Sequence, residues 1–171
     1  MTEALTPSTP AANPLLGAWT LVRWEIAYDD GRPSSLPYGA DATGLILYTA
    51  DGHMSACIAR AARPPLSSES ARSAPVPERL AAFESYFQYA GPYEIRRSPH
   101  LPTGMQVVHH AAMAMNPNFA GSQQVRNVEF DAAGHLTLSA RDTVPGSAVV
   151  RHHRLIWKRA GAARATKWAA Q

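Results

Sequence analysis

The feature that most narrows the fold is a succession of short runs in which apolar and polar residues alternate, each ended by a turn signal. Such runs occupy 19–28, 44–49, 53–60, 93–96, 105–115, 123–130, 135–141 and 149–159. Alternation with a period of two marks a strand with one buried face. Between the runs stand Asp29-Asp30-Gly31, Asp51-Gly52 and Ala133-Gly134, residues that supply the backbone freedom and side-chain hydrogen bonds of hairpin turns. About eight strands joined mainly by hairpins predict an all-β domain closed into an antiparallel barrel, because closure leaves no unpaired edge. One stretch departs from the pattern. Residues 64–77 are rich in Pro and Ser, and Pro77-Glu78 opens a predicted helix with Leu80, Phe83 and Phe87 at helical spacing. The helix is expected to run over 78–90, to stop at Gly91-Pro92 and to cap one end of the barrel.

A chain of 171 residues suits one domain. That domain is expected over 15–159, between a Thr/Pro/Ala-rich lead-in at 1–14, read as disordered, and an Ala-rich tail at 160–171 in which Trp168 has the option of docking. The net charge of +3 comes without any run of five basic residues, which argues against a dedicated nucleic-acid surface. Cys57 is the single cysteine, so neither an intramolecular disulfide nor a CxxC knuckle is available. No apolar run approaches the ~18 residues of a membrane span. The first residues lack the basic start and apolar core of a signal peptide. The expectation is a soluble cytoplasmic protein, monomer or homodimer.

Strand parity assigns the inner faces. Over 105–115 the odd residues Met105, Val107, His109, Ala111, Met113 and Met115 form the more apolar set, so His109 is expected inside and His110 outside. Gln124, Arg126, Val128 and Phe130 form one inner face, Trp24, Ile26 and Tyr28 another, Met54, Ala56 and Ile58 a third, and Tyr93 and Ile95 a fourth. Over 149–159 the faces balance and leave His152 and His153 unassigned. An interior mixing small residues, Met, aromatics and a few polar groups suits a ligand cavity, and an eight-stranded barrel is wide enough for one small molecule.

Several segments resemble a known family. Leu16-Gly17-Ala18-Trp19-Thr20-Leu21-Val22 is similar to the GxW opening of calycin barrels, and Leu155-Ile156-Trp157-Lys158-Arg159 to the closing strand whose basic residue covers that Trp. Tyr38 to Gly44, Tyr48 to Ser55, Tyr86 to Tyr93, Val108-His109-His110, Asn116 to Gly121 and Gln124-Val125-Arg126 follow in the order of the bacterial and fungal lipocalin-like domain family. The resemblance spans roughly 15–159 and departs in its long proline-rich insertion. It implies a barrel for small hydrophobic molecules, with relatives that act as cyclases or isomerases in secondary metabolism.

Each candidate side chain has a chemical and a structural reading. An inward His109 in an apolar pocket has the chemistry of a general acid or base near neutral pH, or else a hydrogen bond to a neighbouring strand. Arg126 inside a barrel requires a carboxylate such as Glu25 or Glu94, or a ligand oxygen where negative charge develops. Tyr93 would donate to that same oxygen or fill the core. Trp24, Met54, Tyr86, Phe87, Met113 and Gln124 complete the candidate substrate-binding wall. Adjacent His pairs at 109–110 and 152–153 point to opposite faces, there is no HExxH, and no phosphate loop follows a strand, so neither metal nor nucleotide cofactor is expected. Cys57 and the serines lack the context of a nucleophile. The resulting expectation is a cofactor-free cyclase or isomerase for a polyketide- or terpenoid-like molecule. The alternative is a carrier with the same pocket.

Overall fold

The turn signals close hairpins where expected: Gly52 takes a φ of 86° in the turn that returns the chain at Thr49 and His53. The structure is a computed structural model and describes residues 13–161; most of the 1–14 lead-in and the tail from residue 162, with Trp168, lie outside the described residues. Its strands are β1 (Gly17–Tyr28), β2 (Thr43–Tyr48), β3 (His53–Ala59), β4 (Tyr86–Arg97), β5 (Met105–His110), β6 (Met113–Ala114), β7 (Gln123–Phe130), β8 (Leu136–Thr143) and β9 (Val150–Arg159), with one α-helix, α1 (Val76–Glu84), between β3 and β4. Every pairing is antiparallel, and β3 joins β4 while β1 joins β9, so eight strands close a barrel and the two-residue β6 adds to β4. The all-β barrel with a single short helix is the fold expected from the periodicity.

Three local departures come from backbone geometry that a period of two does not encode. A bulge in β1 between Leu21 and Arg23 leaves Val22 outside, 43% exposed. The bulge changes parity, so Trp19 and Leu21 face inward ahead of it, and Trp24 and Ile26 beyond it. The helix ends at Glu84, not at 90. Tyr86, Phe87 and Tyr89 belong to β4, whose residues 86–92 pair with β3. The helical spacing of Phe87 with Phe83 is outweighed by ladder hydrogen bonds and by the inward alternation of Phe87, Tyr89, Gly91 and Tyr93. Gly91 does not stop a helix; it sits within the strand, where a Cβ would lie 1.9 Å from the His110 carbonyl oxygen, so only Gly lets β5 end across β4.

That crossing explains the third departure. The expected strand 105–115 breaks after His110, because the Ala111 N–H donates to Ser122 O and the Ala111 carbonyl accepts from Gly121 N. Parity is lost at the break, and Met113, expected inside, is 66% exposed. Ile95, also expected inside, is 39% exposed, since beyond His53 the strand β4 pairs with β5 alone.

The core gathers Leu15, Ile46, Ile58, Val107, Val128, Leu136 and Trp157, all 2% exposed or less. Each such side chain contributes on the order of 1.5–3 kcal/mol of burial. One end is sealed. Trp19 donates its Nε1–H to Leu15 O at 2.8 Å, and Arg159 lies 3.9 Å over the Trp19 ring while donating to the Leu16 and Pro14 carbonyls. At the other end α1 buries none of its residues. It is tied to the proline-rich loop by Arg63, which donates to Ala82 O and Ser85 Oγ, and by Glu78, which accepts from Ser67. No helix among the described residues is long and apolar enough to cross a membrane.

Candidate functional site

The sealed end leaves a cavity of about 630 Å³ in the opposite half of the barrel, within the size range of small-molecule pockets. Its apolar wall includes Trp24, Ile46, Phe87, Leu138 and Leu155, and its polar lining includes Gln124, Arg126, Arg141, Asp142 and His153. Aromatic contacts fix the rim. Tyr38 stacks on Trp24 with ring centroids 5.4 Å apart, and Phe119, on the turn after β6, packs edgewise on Phe87 and Tyr89. None of the α1 residues lines this cavity.

Four expected wall or site residues meet there: Trp24, Phe87, Gln124 and Arg126. Met54 is buried in the wall behind, without reaching the cavity. Tyr86 stands on the outer parity of β4 beneath the Arg63 guanidinium. Tyr93 belongs to the sealed half, where its hydroxyl donates to Thr49 O at 2.9 Å and accepts from Asn13 Nδ2 at 2.7 Å. Met113 faces out.

His109 is fully buried, as strand parity predicts, and both its nitrogens are engaged. Nε2 lies 2.8 Å from the Tyr48 hydroxyl and Nδ1 2.7 Å from the Tyr89 hydroxyl. Burial first, then the positive charges of Arg126 and His110, push its pKa down to about 3. Burial also raises both tyrosines. All three are therefore neutral near pH 7, and a neutral imidazole has one donor and one acceptor, so one tyrosine accepts and the other donates. Tyr89 is the member of this chain that lines the cavity; His109 stands behind it.

Arg126 has no ion pair among the described residues. Its guanidinium donates to Gln124 Oε1 at 3.0 Å and to Val125 O at 2.8 Å. The acids weighed as partners are occupied on the outer face, Glu25 with Arg23 and Glu94 with Arg96. Two lining residues carry donors that lack acceptors: Trp24 Nε1 and Trp157 Nε1 are buried without a hydrogen-bond partner among the described residues. A buried N–H left unpaired costs on the order of 1–3 kcal/mol.

Residues that strand parity left undecided complete the site. His153, not His152, lies on the inner face with its ring 6.1 Å from Trp24, and its Nε2 is 3.2 Å from Asp142 Oδ1. Arg151 grips both Asp142 oxygens at 2.7 Å. Burial lowers the His153 pKa, partly offset by the Asp142 carboxylate. Asp142 itself is held low by Arg151 and His153 against the opposing effect of burial. The cross-strand pair Asp142 and Arg151 was visible as complementary charges in the sequence, but only with the β8–β9 register known. Tyr89 was hidden by its assignment to the helix. Among the described residues no three His, Cys, Asp or Glu side chains gather as metal ligands would.

A search of curated proteins finds no match to the chain. The profile of the lipocalin-like domain matches residues 16–160, the stretch that runs from the sealed GxW end through the last barrel strand. Strand order, the Arg159–Trp19 closure and this match agree, and the chain belongs to the lipocalin-like domain family.

Proposed function

We propose that the barrel binds a small lipophilic molecule bearing oxygen acceptors, polyketide- or terpenoid-like, and acts on it as a cofactor-free isomerase or cyclase of secondary metabolism. A lipocalin-like barrel fits hydrophobic ligands; the finer reading rests on one observation. In a mostly apolar cavity the Arg126 guanidinium has no carboxylate partner among the described residues, its hydrogen bonds going to Gln124 Oε1 and the Val125 carbonyl. A ligand with a carbonyl, enolate or carboxylate oxygen would accept from Arg126, which would stabilise charge that develops on that oxygen. Trp24 and Phe87 would fold the apolar part of the molecule against the rim.

The carrier reading keeps the same pocket. It is favoured by the engagement of both His109 nitrogens, which removes the most obvious proton-transfer group from the cavity.

Two probes of one skeleton test the pocket. N-phenyl-1-naphthylamine is neutral, and 1-anilinonaphthalene-8-sulfonate adds an anionic group. Both are expected to bind saturably, and Arg126→Met is expected to weaken the sulfonate at least about tenfold, the worth of a charged hydrogen bond, while sparing the neutral probe. Saturable binding of neither would overturn the ligand reading. Incubation with host metabolite extract then separates the two functions: a product of unchanged mass and altered retention marks an isomerase or cyclase, and an unaltered bound compound marks a carrier.

A further inference from the structure

The ligand reading leaves one pair of side chains in the cavity without a role, and the inference drawn from them rests on that reading. We infer that His153, oriented by Asp142, is the acid–base group of the barrel, and that the substrate is a lipophilic ketone with a removable hydrogen on the carbon beside its carbonyl.

The geometry is that of a held base. Arg151 fixes the Asp142 carboxylate through both oxygens, and the carboxylate accepts from His153 Nε2 at 3.2 Å. With Nε2 carrying the proton, Nδ1 holds the lone pair, and Nδ1 makes no hydrogen bond among the described residues. His153 is 17% exposed at its side chain and lines the cavity. On the sheet it pairs with Ala140, whose neighbour Ser139 pairs with Asn127, next to Arg126. Only the small Ala140 therefore separates Arg126 from His153 on the inner face, two strand spacings or about 10 Å between backbones. Both side chains line the same cavity. His109 offers no such atom, as both its nitrogens are bonded.

The step balances without a cofactor. His153 Nδ1 takes the proton from the α carbon, the C–H electron pair becomes the enolate C=C, and the carbonyl π pair moves to the oxygen held by Arg126. Asp142 stabilises the imidazolium that forms. His153 then returns the proton to the γ carbon of a β,γ-unsaturated ketone, the double bond moves into conjugation, and the mass is unchanged. The charged groups facing the imidazole are Asp142 and Arg151 from β8 and β9 and Arg126 from β7; β1 presents Trp24 and Ile26, which do not titrate. Exchange should accordingly fall on the acid side, as the imidazole protonates below its ordinary range.

The test uses the full chain and 2-tetralone, an apolar ketone with an activated α C–H. Its hydrogen–deuterium exchange in D₂O is followed by NMR, and binding by quenching of tryptophan fluorescence. The wild type is expected to exchange the α position saturably above the buffer rate. His153→Gln should lower that rate at least about 100-fold, the usual worth of a general base, with N-phenyl-1-naphthylamine still bound as evidence of an intact cavity. If His153→Gln fails to fold, Asp142→Asn is the second variant; it should shift the acid limb of the rate profile further down and slow exchange about tenfold or more. Exchange at the buffer rate with 2-tetralone bound, or equal exchange by wild type and His153→Gln, overturns the inference and leaves the pocket standing. Failure of the wild type to bind either naphthyl probe overturns the ligand reading itself.

Discussion

The two halves of the barrel treat polar groups in opposite ways. In the sealed half every prominent donor has its acceptor: Trp19 Nε1 meets Leu15 O, Arg159 caps the ring and the Leu16 and Pro14 carbonyls, and His109 is bonded at both nitrogens. In the open half, among the described residues, Trp24 Nε1 and Trp157 Nε1 meet no acceptor, Arg126 has no counter-charge, and His153 Nδ1 makes no hydrogen bond. Satisfied networks rigidify a fold, whereas unsatisfied groups carry a cost that persists where a ligand or a reaction removes it. Satisfied polar groups gather at one end and unsatisfied ones at the other.

Substitutions at the two ends should therefore separate stability from binding. The largest effect is expected from Trp19→Ala, which removes the plug and should cost about 3–5 kcal/mol in urea unfolding. His109→Phe keeps most of the volume but strands the Tyr48 and Tyr89 hydroxyls, for a loss of about 3 kcal/mol near pH 7. The same variant should change the acid response. The folded pKa of His109, about 3, lies below its ordinary 6.5, so the unfolded chain binds the extra proton between those values. The stability that His109 contributes is whole above pH 6.5 and is lost as the pH falls toward 3. The decline approaches about 1.4 kcal/mol per pH unit. In His109→Phe this part of the slope should vanish; an unchanged slope would show that other groups govern acid unfolding.

Smaller effects belong to the open half. Arg126→Met, which weakens the sulfonate probe, should leave the urea midpoint equivalent to within about 0.5 kcal/mol, or raise it, because no ion pair is broken. The smallest is Trp24→Phe. It keeps an aromatic wall and deletes a buried N–H that meets no acceptor among the described residues, so stability should hold or rise by about 1 kcal/mol, with probe affinity unchanged. A large loss of stability in either variant would erase the contrast between the halves.

The sequence placed Arg126, Gln124 and Trp24 in one interior because each lies on a regular strand with a clear apolar partner set. It misplaced Met113 and Ile95 because parity says nothing about where a strand breaks or overhangs. Phe87 reached the cavity by a route other than the expected one, on a strand instead of a helix face. His153 stayed undecided because the two faces of its strand are equally mixed, and Asp142 drew no notice because its partner Arg151 is set by register.

Period-two alternation and turn residues by themselves determined the barrel and the inward face of His109, since both are local patterns that repeat along the chain. The Trp19 end closed by Arg159 was legible only through the resemblance of the GxW opening to calycin barrels. Only the tertiary structure decided which buried groups are satisfied. Whether His109 is a bonded strut or His153 a free base depends on Tyr48, Tyr89 and Asp142, brought from other strands by closure, and a hydrogen bond is made or missed by distances of tenths of an ångström that no spacing in a sequence records.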